Sequence, residues 1–366
     1  MNKIFRFLTS GESHGKCLNA IIEGVPAGFI ISTEEINDDL YRRQQGYGRG
    51  ERMKMESDKI EIKSGVRHGV TIGSPICLEI KNKDYENWKV VMDTEPVELN
   101  DENTAKIKEK MFTKLRPGHA DYAGSVKYGF DDLRNVLERS SARKTAIEVA
   151  VGSIAKQILK QFGIEGSSKV IQIGSAKSEN NDLTDEMKCE IDNAKSKGTT
   201  IGGKIEINYI GLPVGLGSYT QYDRAIDGQI AQAVMSIPAI KSVEIGEGVN
   251  LAEKLGSETH DAFCLKSGKI ERLSNNAGGI EGGMTNGETL VVKATMKAIP
   301  TMRVPLPTVD ISDMTESEAH FERSDTCAIE ACAVVAEAKI AIVLVDEFLT
   351  KFGGDSFKEI KAHYDC

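Results

Sequence analysis

The sequence is poor in aromatic residues, at 6%, and carries only 9 prolines and 1 tryptophan among 366 residues. It also lacks excess positive charge, with 46 Lys and Arg against 55 Asp and Glu and a net charge of -9. A nucleic-acid surface needs broad positive potential and stacking platforms, so that class is disfavoured, although a local basic pocket is not. The seven cysteines, Cys17, Cys77, Cys189, Cys264, Cys327, Cys332 and Cys366, include no CxxC pair. Neither a zinc site nor a thioredoxin-like motif is spelled out, no metal is expected, and most of the thiols are expected to be small core residues in a reducing compartment. Long apolar runs are missing too: the longest, Ile340 to Val345, falls far short of the ~20 residues of a membrane span. Lys3 and Arg6 interrupt any signal-peptide core, so a cytoplasmic protein without membrane contact is expected.

Glycine, at 35 residues, is abundant, and the 40% apolar and 28% charged fractions fit a globule. A chain this long would bury roughly 75% of its unfolded surface, enough for a large core. Helical periodicity and capping signals predict helices over Ser32 to Gln45, Ser141 to Phe162, Thr184 to Lys197, Tyr222 to Ile237 and Ala328 to Phe352. Strand-like runs occupy Ile4 to Leu8, Ile60 to Ile62, Pro75 to Ile80, Gly203 to Ile210, Ser242 to Ile245 and Glu288 to Ala298. Several alternate apolar with charged residues, the pattern of antiparallel strands with one buried face, which favours α+β over a doubly wound sheet. The polar stretches 81–110 and 175–196 read as surface insertions in a single domain, 1–366. Two short echoes, Gly24-Val-Pro-Ala-Gly28 with Gly211-Leu-Pro-Val-Gly215 and Thr71-Ile-Gly73 with Thr200-Ile-Gly202, suggest an internal repeat. Gly-Pro turn chemistry alone also produces such matches.

Six segments carry the residue types of a reactive site. Gly11-Glu-Ser-His-Gly15 follows a strand-like run and can present an imidazole on flexible backbone. Arg42 to Lys54 spaces five basic residues among glycines, which lets backbone and guanidinium groups close around an anion. Arg116-Pro-Gly-His-Ala-Asp-Tyr122 places a histidine three residues after an arginine, across a turn. Arg139-Ser-Ser-Ala-Arg143 opens a helix with hydroxyls and cations, a phosphate-binding arrangement. Gly278 to Gly287 permits close backbone approach to a ligand but lacks both the dinucleotide glycine spacing and a Walker lysine. Arg323-Ser-Asp-Thr-Cys327 precedes the long apolar helix, where Asp325 or Thr326 would also serve as a cap. Each has an ordinary structural reading as turn, cap or solvated face. The loops alone would also suit a non-catalytic anion-binding protein.

Taken in order, GESHG at 11–15, RRQQGYGRGERMK at 42–54, SGVRHGVTIGSP at 64–75, RPGHADYAGSVKYG at 116–129, RSSAR at 139–143, GGIEGGMTNGE at 278–288 and RSD at 323–325 resemble the chorismate synthase family. The resemblance implies a β-α-β sandwich, described as two antiparallel sheets between helices, and a homotetramer. It also implies 1,4-anti elimination of phosphate from 5-enolpyruvylshikimate 3-phosphate, with reduced FMN (FMNH2) as cofactor and no net redox change. By resemblance, His14 protonates the departing phosphate, His119 protonates the reduced flavin, and Asp325 partners flavin N5 in removing the C6 proton. Substrate contacts carry over to Ser13, Arg43, Arg49, Arg52, Arg116, Arg143 and Arg323, and flavin contacts to Arg139, Ser140, Ser141, Pro238, Ala239, Gly282, Lys297, Ala298, Ile299, Pro300, Thr301 and Arg323. Many family members carry an amide side chain where this chain has Pro238, and His-Asp-Pro where it has Ser324-Asp325-Thr326. An external flavin reductase is the expected partner. An intrinsic NADPH-dependent reductase, with the nucleotide phosphate on Arg43 and Arg49, is the alternative.

Overall fold

The computed structural model describes residues 4–50, 57–178, 183–321 and 325–366. A four-stranded antiparallel sheet contains β1 (Arg6–Ser10), β2 (Cys17–Glu23), β3 (Ile60–Ile62) and β4 (Ile76–Lys81), in the order β1-β2-β4-β3. The second sheet comprises β5 (Glu165–Ile173), β6 (Ala176–Lys177), β7 (Gly203–Ile210), β8 (Ile240–Ile245) and β9 (Leu290–Met296), ordered β8-β9-β7-β5-β6 and also antiparallel. Burial alternates along β4, with Ile76, Leu78 and Ile80 inward, and along β9, with Leu290, Val292, Ala294 and Met296 inward, so each sheet is covered on one face.

The covering elements are helices. They are α1 (Thr33–Gln44), α2 (Arg134–Ser140), α3 (Thr145–Lys160), α4 (Asp185–Ser196), α5 (Ile226–Met235), α6 (Ile329–Phe352) and α7 (Phe357–Asp365). α3 packs on the first sheet and α6 on the second, and the two helices pack against each other. The helices therefore lie between the sheets, the reverse of the expected sheets between helices. Buried residues of both α3 and α6 belong to one continuous core cluster. The helices come so close at Gly152 that a Cβ there would lie 2.5 Å from the Ala338 Cβ.

Local chemistry sets the helix starts. Ser32 Oγ accepts from Glu35 N–H at 3.2 Å, and Thr184 Oγ1 from Met187 N–H at 3.3 Å. Ser141 caps a 3-10 turn, Ala142–Lys144, so α3 begins at Thr145, later than its Ser cap implies. The run Tyr222 to Ile237 likewise divides, with a 3-10 turn at Tyr222–Arg224 before α5. Met187, Ile191 and Ala194 of α4 are buried, so the 175–196 stretch contributes an apolar face. Only Cys327 and Cys332 are buried among the seven free cysteines, contrary to the expectation of mostly core thiols.

The glycine-proline echo marks a structural repeat. Thr71 Oγ1 donates to Pro26 O at 2.6 Å and accepts from Phe29 N–H at 2.9 Å. Thr285 Oγ1 does the same with Pro213 O at 2.7 Å and Leu216 N–H at 2.8 Å. Strand registers follow: Ile22 opposes Ile76 as Tyr209 opposes Leu290, and Ile62 opposes Leu78 as Ile245 opposes Val292. Apart from segments inserted between β4 and α3, between β5 and β7 and between β8 and β9, each half thus runs strand, strand, Gly-x-Pro-x-Gly turn, helix, strand, strand, helix. The echo pairing Thr71 with Thr200 is corrected, because the structural counterpart of Thr71 is Thr285.

Candidate active site

The Gly11–Gly15 loop joins β1 to β2 and is fixed from three sides. Arg139 donates to Gly11 O at 3.0 Å and to Thr9 O at 2.9 Å, while Asn82 donates to Glu12 O at 3.1 Å and Gly15 O at 2.7 Å. Ser13 N–H donates to Glu138 O at 2.9 Å, and Ser141 Oγ donates to Ser13 Oγ at 3.2 Å. These contacts bury Ser13 and His14 against α2. His14 receives the Glu138 carboxylate twice, with Nδ1 2.8 Å from Oε1 and its backbone N–H donating to Oε2 at 2.8 Å. The His14 ring also stacks on Trp88, centroids 4.0 Å apart. Burial pushes the Glu138 carboxyl up, but His14 and Arg134 more than offset it and hold the group below the ordinary carboxylate range.

At the start of α3, Arg143 lies buried, donating to Asp58 Oδ2 at 2.6 Å and to Asn82 Oδ1 at 2.9 and 3.1 Å. Arg43, at the end of α1, reaches the same helix end through Thr145 Oγ1 at 3.0 Å and Ala142 O at 3.0 Å. From there the chain crosses to the start of α6, where Tyr47 N–H donates to Glu330 Oε2 at 2.6 Å. Asp325, just before α6, accepts from Gly50 N–H at 2.6 Å and pairs with Arg49 Nη1 at 2.7 Å. Arg49 Nε is buried without an acceptor among the described residues. The α1 end and its following loop therefore bridge the N-terminal ends of α3 and α6, whose dipoles both favour an anion between them.

The third wall is the 297–301 segment. Lys297 Nζ donates to Gly118 O at 2.6 Å, Thr200 Oγ1 donates to Ile299 O at 2.6 Å, and Ile201 N–H donates to Thr326 O at 3.0 Å. This chain of contacts joins the His119 turn to the Asp325 segment. Arg116 anchors that turn through a buried bidentate pair with Asp121, Nε to Oδ2 and Nη2 to Oδ1, both 2.8 Å. Ala239 adopts a left-handed φ of 72° and accepts from Lys297 N–H at 2.9 Å.

Comparison with known proteins gives the family of the chain. Residues 5–349 match the family model described as chorismate synthase. A chorismate synthase of Thermoanaerobacter pseudethanolicus is 52% identical, over 99% of this chain and 97% of its own length. Another, from Geotalea uraniireducens, is 50% identical over 99% of this chain and 98% of its own. A crystal structure of chorismate synthase superposes with a TM-score of 0.76 at 38% identity, covering 100% of this chain and 97% of that one. The chain belongs to the chorismate synthase family. It is a carbon-oxygen lyase of the shikimate pathway, and the family is flavin-dependent.

Among the residues matched to the chorismate synthase pattern, hydrogen bonds and ion pairs gather Ser13, His14, Arg43, Arg49, Arg139, Ser141, Arg143 and Asp325 around the two helix starts. Arg116, His119 and Lys297 to Thr301 join through Gly118. Gly282 stands apart, exposed in a two-stranded turn whose contacts run to residues 217–226 instead. Arg52 and Arg323 lie outside the described residues. Of the histidines outside these motifs or at their edges, His68, His260 and His363 are exposed, whereas His320 is half-buried and stacked on Phe112. Sequence reasoning missed Asp58, Asn82 and Glu138, and placed Trp88 only in a polar insertion. Arg134 and Glu138 do show i,i+4 spacing, but such a pair normally reads as a solvated helix face.

Proposed function

We propose that these residues carry the chorismate synthase reaction in the roles the resemblance implies. The observation that carries the reading is the convergence of Ser13-His14, Arg139 to Arg143, Arg43 and the Arg49–Asp325 pair on the starts of α3 and α6. 5-Enolpyruvylshikimate 3-phosphate bears a phosphate and two carboxylates, so it needs cations and helix N-termini in one place. Several arginines already hold partners: Arg116 has Asp121, Arg143 has Asp58, and Arg49 has Asp325. Such pairing fixes each guanidinium before ligand arrives and lowers the reorganisation needed on binding.

The donor set fits a flavin phosphate and an anionic ring. Ser140 and Ser141 place hydroxyls at the start of the 3-10 turn leading into α3, and Lys297 sets an ammonium beside the His119 turn. We propose that these groups, with Arg139, Pro238, Ala239, Gly282, Ala298 to Thr301 and Arg323, hold reduced FMN. When bound, it supplies electron density to the allylic system from which phosphate departs. Protonated His14 then gives its proton to the leaving phosphate oxygen, and His119 holds a proton at the flavin side. For Asp325 to assist removal of the C6 proton, its carboxylate must exchange Arg49 and the Gly50 N–H for the ligand. Arg49 then turns to the anionic substrate.

We further propose a single-domain β-α-β sandwich that assembles as a homotetramer in the cytoplasm. The continuous buried cluster from Phe5 to Ile360 supports the single domain. Exposed Phe263, Leu265, Ile270 and Leu273 on one hairpin support the assembly. The chain carries neither the dinucleotide glycine spacing nor a Walker lysine, which favours an external reductase over an NADPH phosphate held on Arg43 and Arg49. Among the described residues no helix is long and apolar enough to cross a membrane. The test is anaerobic phosphate release from 5-enolpyruvylshikimate 3-phosphate with reduced FMN, beside oxidised FMN and beside NADPH plus oxidised FMN. Release with reduced FMN alone is expected; release in the NADPH arm would mean a built-in reductase, and none in any arm would overturn the site reading.

A further inference from the structure

His14 is held by groups that the elimination chemistry does not itself require. Its Nδ1 meets Glu138 Oε1 at 2.8 Å, and its backbone N–H meets Oε2 of the same carboxylate at 2.8 Å. The Glu138 side chain is 3% exposed and that of His14 is 7% exposed, so this contact is shielded from water. Glu138 is itself steered by Arg134, whose Nη1 lies 3.2 Å from Oε1. On the ring face, Trp88 stacks on His14 with an interplanar angle of 29°, and Asp84 Oδ2 fixes the indole by accepting from Nε1 at 2.9 Å. Arg134 lies 4.9 Å and Lys110 5.4 Å from the Trp88 ring centroid.

We propose that Glu138 and Trp88 form a clamp that positions His14, making Glu138 a positioning residue for proton delivery to the departing phosphate. The inference rests on the reading of His14 as the acid. A carboxylate on Nδ1 fixes the ring orientation and places an N–H on that nitrogen, so proton transfer falls to Nε2. Contact with both the imidazole and the backbone N–H of one residue ties the ring to the loop that carries it, leaving little rotational freedom. The charged groups near the imidazole include Glu138 and Arg134 from α2, Lys110 and Asp84 about the indole, Arg139 on the loop carbonyls, and Glu12 and Lys16 in the loop sequence. Glu138 is the anion in direct contact with the ring, and Arg134 weakens its pull. The two residues therefore act on His14 with opposite sign. The indole face adds attraction for the imidazolium over the neutral ring.

The test compares wild-type enzyme with Glu138→Gln, Glu138→Asp, Arg134→Gln and Trp88→Leu. Two measurements are made on the full chain: deuterium exchange at the imidazole C2–H of the His14 peptide against pH, and the pH profile of anaerobic kcat with reduced FMN. An acid must be protonated, so kcat falls as pH rises through the His14 pKa. Glu138→Gln should move the exchange transition and the falling limb of kcat to lower pH together, and reduce kcat at neutral pH about tenfold or more with little change in KM. Glu138→Asp should restore part of both, Arg134→Gln should shift both upward, and Trp88→Leu should shift both downward by less. An unchanged His14 titration in Glu138→Gln would overturn the clamp, as would a shift of the kinetic limb without a shift in exchange. If Glu138→Gln fails to fold, Glu138→Asp and the opposite sign of Arg134→Gln still decide it. Unchanged turnover in His14→Ala would instead overturn the acid reading, and C2–H exchange separates that failure because it reports the clamp without turnover.

Discussion

The matched threonines give the sharpest test of the internal repeat. Thr71 and Thr285 are 3% and 2% exposed, and each hydroxyl both donates to a proline carbonyl and accepts from a backbone N–H three residues beyond that proline. Substituting valine in either keeps the branched shape but strips both partners. An orphaned buried polar group costs about 1–3 kcal/mol, so two per site give about 2–6 kcal/mol for Thr71→Val, and the same for Thr285→Val. The threonine main chains also bond across each turn, Gly28 N–H to Thr71 O at 2.9 Å and Gly215 N–H to Thr285 O at 2.8 Å, and these bonds survive the substitution. The two losses should therefore agree within about 1 kcal/mol, and the double variant should lose about their sum because distant sites add. Urea denaturation at fixed protein concentration, followed by circular dichroism, measures all three. A loss under about 1 kcal/mol at either site would refute the hydrogen-bond argument. Unequal losses would refute the equivalence of the two turns.

Asp121→Asn should cost about 3–5 kcal/mol, because it strips the bidentate partner from buried Arg116; denaturation measures it, and a loss below about 1 kcal/mol would mean that water reaches the pair. Gly152→Ala sets a helix-propensity gain of about 1 kcal/mol against a Cβ 2.6 Å from Ala338 O, and overpacking of about 1–3 kcal/mol should win, lowering the unfolding midpoint. His363 Nδ1 contacts the Phe352 and Gly353 carbonyls at the end of α6, and these raise its pKa above the ordinary 6.5. The folded state thus binds the proton more tightly, so the docking of α7 should be full below pH 6.5 and weaken as pH rises through the raised value; amide exchange in α7 should show that dependence in wild type and lose it in His363→Gln. Glu337 is pushed up by burial, but Arg42 and Lys156 hold it down to about 2. Its contribution should therefore persist through pH 4.5 and disappear only as pH falls towards 2, and the acid-unfolding curve of Glu337→Gln should lack that late step.

Local signals were legible where one residue type does one physical job. The Ser32 and Thr184 caps, the positive-φ Gly163 beyond α3 and the alternating β7 all stand near the predicted bounds, because capping and strand pleat act within a few residues. β5 was not legible. Its sequence, Glu-Gly-Ser-Ser-Lys-Val-Ile-Gln-Ile, does not alternate, and its pairing with β7 shifts register between Val170 and Gln172. Gly166 is explained only by its partner strand, since a Cβ there would lie 2.4 Å from the Tyr209 ring. The helix Asp101–Lys110 was also missed, because none of its residues is buried and it shows no apolar stripe to read.

The candidate site divides along the same line. The ordered motifs name the candidate cations and histidines, but not what holds them, because the holding groups come from distant sequence. Asp58 meets Arg143 across 85 positions, and Glu138 meets His14 across 124. A composition argument counts those arginines as free charge waiting for an anion. In the fold, Arg143, Arg116 and Arg49 each face a carboxylate, so the local field depends on the small excess of cations over Asp58, Asp121, Glu138 and Asp325. Anion affinity then rests less on the number of arginines than on which of these pairs can open. Arg116–Asp121 and Arg143–Asp58 are the more deeply buried and suit a fixed frame. Arg49–Asp325 is the more exposed of the three and joins two segments that both line the proposed site, so exchange of partners is cheapest there.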